Sequence, residues 1–471
     1  VPNSTAASKT ARVLPEDSAQ TLVEGCMQWI VQRIDGQVFR PGMRLPSIRA
    51  LARQRRVSPF TIAEAYARLV THGRIQSRRG SGFYVCRAAV ETRAVGAHPN
   101  AAIDLRWLLQ HMLGNTSAQG PGLGVLPGEW LDGAPIGAAL RSLGRQGPRR
   151  WLDSGALHGF EPLRAALQRR LATRDILAHA DQIVLTTGIT HALNLVLRSL
   201  VEPGASVLVF DPCWFGALGV LSAHGARVIG IPCTHEGPDL ACLERLLREE
   251  RPRLLLASSA AHNPTGLSLS KTVAARIVAL AAQFDVPIFE DDAYADLCTT
   301  PVTRLAALDG LHGVIHAGSF SKTLASNIRV GFVACDAALA RRLADTKILT
   351  GFTTPELNER LVHTLLVENR YERHVQGLCE RLQICRSKAR AFLQRHGVDI
   401  FAAHGDGLFL WADMHTDTNV LATIWREQGL LLAPGSLFSP SQAPTTWMRF
   451  NVTTPLDERM TRMMQAAAHP V

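Results

Sequence analysis

The chain has 471 residues, 46% of them hydrophobic and 19% charged, with a formal net charge of +10. That is the make-up of a globular protein with a sizeable core and two or three domains. No run of 18 or more apolar residues occurs, so no membrane-spanning helix is expected. Residues 1–87 hold fourteen Lys and Arg against five Asp and Glu, so nearly all the excess positive charge lies in the first fifth of the chain. Charge placed this way marks a small polyanion-binding module on a near-neutral body. The nine cysteines are scattered, odd in number and free of any CxxC pair. This argues against a disulfide framework or a structural zinc site and fits a reducing cytoplasm.

Residues 1–17 are rich in Ser, Thr and Ala and lack an apolar segment, which predicts a disordered tail rather than a secretory signal. A compact module is expected over 18–86. Leu22, Val23, Met27, Ile30, Val31 and Ile34 repeat every three or four residues, predicting a helix over 20–34. Ser47 is placed to cap a second helix ending near Arg56, and a third runs from Ser58 to His72, with Gly73 placed to end it. Two short strands, 74–79 and 83–86, flank Gly80-Ser81-Gly82 as a hairpin. Helix, helix, turn, helix and hairpin make a winged helix-turn-helix. The N-terminal residues of its third helix would enter the major groove of DNA, with Arg49, Arg78 and Arg79 flanking.

Residues 87–101 lack periodicity and read as a linker, and 120–137 is loop-like with frequent Gly and Pro. The remaining 102–471 reads as one larger α/β unit, divided into a large domain at about 150–345 and a smaller one at about 346–471. Short apolar runs at 183–186, 207–210, 228–231, 254–257, 287–289, 314–317 and 330–334 alternate with helical stretches, including 190–200 and 272–284. Buried strands separated by helices predict a mostly parallel sheet.

Candidate chemistry gathers where those strands end, as open α/β sheets dictate for ligands. Lys322, in Ser319-Phe320-Ser321-Lys322, follows a buried run, and Schiff-base chemistry needs an amine taken partly out of water. Ser319, Ser321 and Arg329 can clamp a phosphate, and Gly188-Ile189-Thr190 opens a helix whose N–H groups suit the same anion. Trp214 offers a flat face for a ring. Asp291 can keep a pyridine nitrogen protonated, and Asn263 and Tyr294 can hydrogen-bond a ring oxygen.

Two resemblances follow from these strings. Pro41-Gly42-Met43-Arg44-Leu45-Pro46-Ser47-Ile48-Arg49, Val57-Ser58-Pro59-Phe60-Thr61 and Gly80-Ser81-Gly82-Phe83-Tyr84-Val85 resemble the GntR family of bacterial regulators. The resemblance implies operator contacts at Arg49, Ser58, Thr61, Arg79 and Gly80. The strings around Gly188, Trp214, Asn263, Asp291, Tyr294 and Lys322 resemble fold-type I aminotransferases, over roughly 100–465. That resemblance implies pyridoxal 5'-phosphate carried on Lys322. It also implies Asp291 at the pyridine nitrogen, Asn263 and Tyr294 at the 3' oxygen, Trp214 on the ring, and a phosphate held by Ser319, Ser321, Arg329 and 188–190. Arg449, in Trp447-Met448-Arg449-Phe450-Asn451, would grip a substrate α-carboxylate.

The combination resembles the MocR subfamily, which implies a homodimer, operator DNA and an amine or amino-acid effector as partners. It also implies a DNA-binding domain resting on the partner's large domain. One departure stands out: Ser154 occupies the position where the family usually has a tyrosine reaching the neighbouring subunit's phosphate, with Trp151 nearby as a substitute. Three readings stay open: a regulator sensing the cofactor or its amine adduct, a working aminotransferase with an accessory DNA module, and a vitamin B6 sensor.

Overall fold

The computed structural model describes residues 22–35, 38–39, 42–71, 74–78, 81–85, 120–145, 152, 154–402 and 404–468. The tail at 1–17, the linker at 87–101, Trp151, Arg79 and Gly80 lie outside the described residues. The chain divides into two compact units, Val1–Asn100 and Ala101–Val471.

In the first unit, helices α1 (Leu22–Asp35), α2 (Ile48–Arg55) and α3 (Pro59–Thr71) precede an antiparallel hairpin of β1 (Ile75–Arg78) and β2 (Gly82–Val85). The Ser47 hydroxyl accepts from Ala50 N at 3.2 Å, so it caps α2 as its position predicts. Arg56 stops the same helix in the left-handed region, at φ 54°. The periodic apolar residues meet in one core: Ile30 from α1, Leu51 from α2, Ile62, Ala65, Tyr66 and Leu69 from α3, and Ile75 and Val85 from the hairpin. Tyr66 donates its hydroxyl hydrogen to Pro46 O at 2.8 Å, tying α3 to the entrance of α2. Its ring lies 4.8 Å from that of Phe83 on the wing. Burial of this phenol pushes its pKa well above the ordinary tyrosine value.

The second unit is built on an eight-stranded sheet in the order β3-β10-β9-β8-β7-β4-β5-β6. Its strands are β3 (Ile183–Thr186), β4 (Ser206–Asp211), β5 (Arg227–Thr234), β6 (Gly237–Pro238), β7 (Leu254–Ala257), β8 (Ile288–Asp291), β9 (Val314–Ser319) and β10 (Gly331–Ala334). The run from β5 through β4, β7, β8 and β9 is parallel, whereas β10 is antiparallel to both β9 and β3. Strands β3, β7 and β10 are buried at every position, as sheet strands covered on both faces must be. Two apolar layers, one on each face of the sheet, supply the cover. The central strands β4, β7, β8 and β9 and the edge strand β3 end along one side of the sheet, and there the candidate residues gather.

A smaller sheet follows, in the order β11-β12-β14-β13, from β11 (Asp399–Ile400), β12 (Phe409–Asp413), β13 (Ala433–Pro434) and β14 (Trp447–Asn451). It has its own core, which includes Phe409, Phe438 and Phe450. Among the described residues no helix is long and apolar enough to cross a membrane, and the described cysteines are free thiols.

Candidate cofactor site and DNA-reading face

The helix Ile189–Leu200 starts immediately after β3, and its N-cap is Gly188 at φ 92°. A Cβ on Gly188 would stand 3.0 Å from Arg329 Nη2, so a side chain there would fill the space between helix terminus and guanidinium. Arg329 is itself left-handed at φ 51°; it donates to Thr187 O and, at 3.3 Å, to Ser321 Oγ. Ser319 Oγ lies 3.1 Å from Ser321 Oγ. A helix N-terminus, two hydroxyls and a guanidinium therefore converge, which is the donor set a phosphate requires. Gly188, Ser319, Ser321 and Arg329 are brought together as the sequence predicts; Ile189 and Thr190 form the first turn beside them.

Trp214, Asn263, Asp291 and Tyr294 line one pocket together with Phe210 and His262. Trp214 is the N-cap of the helix Phe215–His224, and its indole covers Gly216, where a Cβ would fall 2.3 Å from the ring. Asp291 ends β8 and accepts from Ala293 N at 3.0 Å. Burial pushes its carboxyl up to about 6, a shift that a cationic ring nitrogen against it would offset. Lys322 donates from Nζ to Gly124 O at 2.9 Å, with Nζ 5.4 Å from the centre of the Tyr294 ring. Arg449, on β14, is 1% exposed. It donates to Asn263 Oδ1 at 3.0 Å and to Gly122 O at 2.6 Å, and its Nε has no partner. The guanidinium is boxed by Phe215, Phe409 and Phe438, and burial pulls its pKa down to about 10.

The loop-like reading of 120–137 passed over a contributor. Gly122 and Gly124 present carbonyls to Arg449, Lys322 and Tyr294. A Cβ on Gly122 would lie 2.5 Å from Leu432 C, so the glycine is what lets this strap enter. The recurring Gly120, Gly122 and Gly124 were the available signal. A second cluster was not signalled at all. Fully buried His316, on β9, bonds Glu290 through Nδ1 at 3.0 Å, while Arg304 donates to Asp292 at 3.0 Å. Burial opposes the charge on Glu290, but His316, Ser259 and Leu305 N hold its pKa below the ordinary value. This network braces the backbone on either side of Asp291. A larger groove, about 1020 Å³, lies elsewhere, but its Arg170 and Arg174 are already paired with Asp296. Although burial pushes the Asp296 carboxyl up, Arg174 and Arg170 hold it well below the usual carboxylate range.

In the first unit, Ser58 Oγ accepts from Thr61 N at 3.0 Å and sits 2.8 Å from Thr61 Oγ1. Ser58 thus caps the start of α3, and the Thr61 hydroxyl bonds the capping oxygen. Arg49 is the second residue of α2, and its backbone oxygen accepts from Arg53 Nε at 3.4 Å.

Comparison with known proteins matches residues 131–466 to the family "Aminotransferase class I and II" and residues 22–85 to "Bacterial regulatory proteins, gntR family". The HTH-type transcriptional regulator YdcR of Escherichia coli is 30% identical over 91% of this chain and 94% of its own length. The chain belongs to the MocR-type transcription regulators. A second relative of this regulator is the vitamin B6 salvage pathway transcriptional repressor PtsJ of Salmonella typhimurium, 27% identical over 90% of this chain and 93% of its own. Among solved structures, LysN, an α-aminoadipate aminotransferase of Thermus thermophilus crystallised with N-(5'-phosphopyridoxyl)-L-leucine, is 25% identical. It superposes with a TM-score of 0.71 over 77% of the regulator and 96% of LysN. Family membership implies pyridoxal phosphate, and the donor set described above fits it: an amine, a buried carboxyl and a phosphate cradle that a Cβ would block.

Proposed function

We propose that this MocR-type regulator changes its hold on operator DNA when an amino acid or related amine engages pyridoxal phosphate in the second unit. When bound, the cofactor supplies an electrophilic aldehyde carbon and an electron-withdrawing ring. Lys322 presents the amine that holds it. Asp291 pairs with the ring nitrogen, Asn263 and Tyr294 orient the ring oxygen, and Trp214 covers the face. Gly188, Ile189, Thr190, Ser319, Ser321 and Arg329 bind the phosphate.

The observation that carries the effector class is Arg449. A guanidinium removed from water, bonded to an amide and a carbonyl and with an idle Nε, is costly to bury without an anion. A carboxylate arriving at this point would satisfy it through two parallel hydrogen bonds. The effector is therefore an α-amino acid or a close carboxylate analogue. A ligand switches the protein only through a difference in affinity for two arrangements, and Arg449, on the smaller sheet, ties that sheet to the cofactor pocket through Asn263.

The regulator works as a homodimer. Leu349 is 86% and Phe352 63% exposed, and Phe352 is held at φ 63°, a conformation unfavourable for an aromatic residue. Gly155 packs against Thr353 and Thr354, which places Ser154 beside this apolar patch. A second copy covering the patch would bring its own pocket close to the segment carrying Ser154. Retained Lys322, Asp291 and Arg449 also favour a second reading, turnover of amino donor and keto acid.

Titration of purified holoprotein with a panel of amino acids, followed by visible absorption, separates these readings. A band shift that stops short of keto-acid release supports sensing, and sustained release of keto acid supports the enzyme. A change in DNA affinity with pyridoxal phosphate alone supports a vitamin B6 sensor. No band, and no borohydride-trapped peptide containing Lys322, would contradict the cofactor assignment.

A further inference from the structure

The most exposed large apolar side chain of the third helix of the winged unit stands in its first turn. Phe60 is the second residue of α3 and is 78% exposed. The buried face of α3 is Ile62, Ala65, Tyr66 and Leu69. At 3.6 residues per turn, Phe60 stands between about 120° and 180° around the helix from each of these. It therefore cannot share their core.

The polar groups of the same turn are short and already bonded locally. Ser58 and Thr61 spend their hydroxyls on each other and on the helix terminus. Pro59 has no N–H to offer. Phe60 is the longest exposed side chain of this first turn, and all of the surface it presents is apolar. Arg56 caps the preceding helix three residues before this turn begins, and Arg49, Arg53 and Arg55 lie on that helix. Arginines of this kind bind phosphates and fix register, but they carry no sequence information by that contact. Reading falls to groups that meet base edges. The apolar feature of the major groove is the C5-methyl of thymine, and a phenyl ring is among the side chains that contact it.

We propose, on the reading of the chain as a sequence-specific DNA-binding regulator, that Phe60 recognises a thymine methyl in the operator. Selectivity at that base pair then comes from apolar contact and shape rather than from a hydrogen bond. A duplex with cytosine at the same position lacks the methyl and is rejected.

The test uses the full-length protein and a duplex selected by it from a random-sequence pool. Single thymines of that duplex are replaced by deoxyuridine, which lacks only the methyl group. Affinity is read by fluorescence anisotropy at one fixed salt concentration. One replacement per half-site is expected to weaken the wild type by about 5- to 10-fold. Phe60→Ala should already be weaker on the thymine duplex by a similar factor, and should respond to the same replacement by less than about twofold. Because the ring is exposed, this variant should keep the wild-type melting temperature and the same salt dependence on non-specific DNA. A wild type indifferent to every thymine replacement overturns the assignment while leaving DNA reading intact. So does a Phe60→Ala variant that keeps the full thymine preference, including one that merely changes oligomeric state. Failure to select any duplex over non-specific DNA removes the DNA-reading function itself, and the assignment with it.

Discussion

Arg449 Nη1 donates to Asn263 Oδ1 at 3.0 Å, joining β14 of the smaller sheet to the loop that follows β7 of the larger one. The bond makes a group expected to touch the cofactor and a group expected to touch the effector into one unit. A ligand that takes one of them must rearrange the other. Replacing Arg449 with Met keeps most of the packing against Phe215, Phe409 and Phe438 and removes an unpaired buried cation. The ligand-free protein should then be as stable as wild type or slightly more so. Affinity for amino acids should fall by about 100-fold, while affinity for the corresponding amines lacking the carboxylate stays unchanged. Isothermal titration of both ligand series checks this.

Asp291 gives a prediction with a definite sign. Burial raises its folded-state value to about 6, from an ordinary value near 3.8. Between those limits the folded cofactor-free protein holds a proton that the unfolded chain has released, so stability falls as pH rises through this window. Asp291→Asn removes the ionisation. The cofactor-free variant should match wild type near pH 4 and exceed it above pH 6, by about 1–3 kcal/mol. Chemical denaturation across pH 4–8 measures the difference. The same variant should bind pyridoxal phosphate more weakly, because the ring nitrogen loses its anionic partner.

The phosphate cradle is tested at its tightest point. Gly188→Ala adds a Cβ at 3.0 Å from Arg329 Nη2 in a backbone conformation, φ 92°, that an L side chain rarely adopts. Cofactor affinity should drop at least about tenfold, with stability lowered by about 1–2 kcal/mol. A spectroscopic cofactor titration together with a melting curve separates the two effects.

Mainly apolar runs made the strands legible, since 183–186, 254–257 and 314–317 are buried throughout where the sheet is covered on both faces. The residues of the candidate pocket were legible because most of them end or follow such a run. Strand direction was not: nothing in Gly331–Ala334 records that β10 runs against both neighbours. The strap at 120–125 has no period, and its role follows from carbonyls, which carry no side-chain signature. Glu290 and His316 come from adjacent parallel strands 26 positions apart, so their pairing exists only in the fold. Ser58 and Thr61 show the converse. In the sequence their hydroxyls read as DNA contacts, and the structure adds a local pairing that the spacing alone did not signal: Ser58 Oγ accepts Thr61 N–H and bonds Thr61 Oγ1.

That buried pair should be a stability element. His316→Leu leaves Glu290 Oε2 without its ring partner in a site with no exposure. A loss of about 3–5 kcal/mol in denaturant unfolding is expected.

The exposed patch predicts the assembly. Leu349→Asp combined with Phe352→Asp places two carboxylates where a second copy would bury apolar surface. Sedimentation should show the dimer dissociation constant rising by about 100-fold or more, with the monomer still folded.

The central claim is that occupancy of the pocket around Lys322 controls DNA affinity. Anisotropy of a selected duplex, titrated with holoprotein in the presence and absence of the amino acid that shifts its spectrum, tests this most directly. The account predicts a change of at least about fivefold in wild type, and none in Lys322→Ala. Equal affinity with and without the amino acid, or an undiminished response in Lys322→Ala, would contradict it.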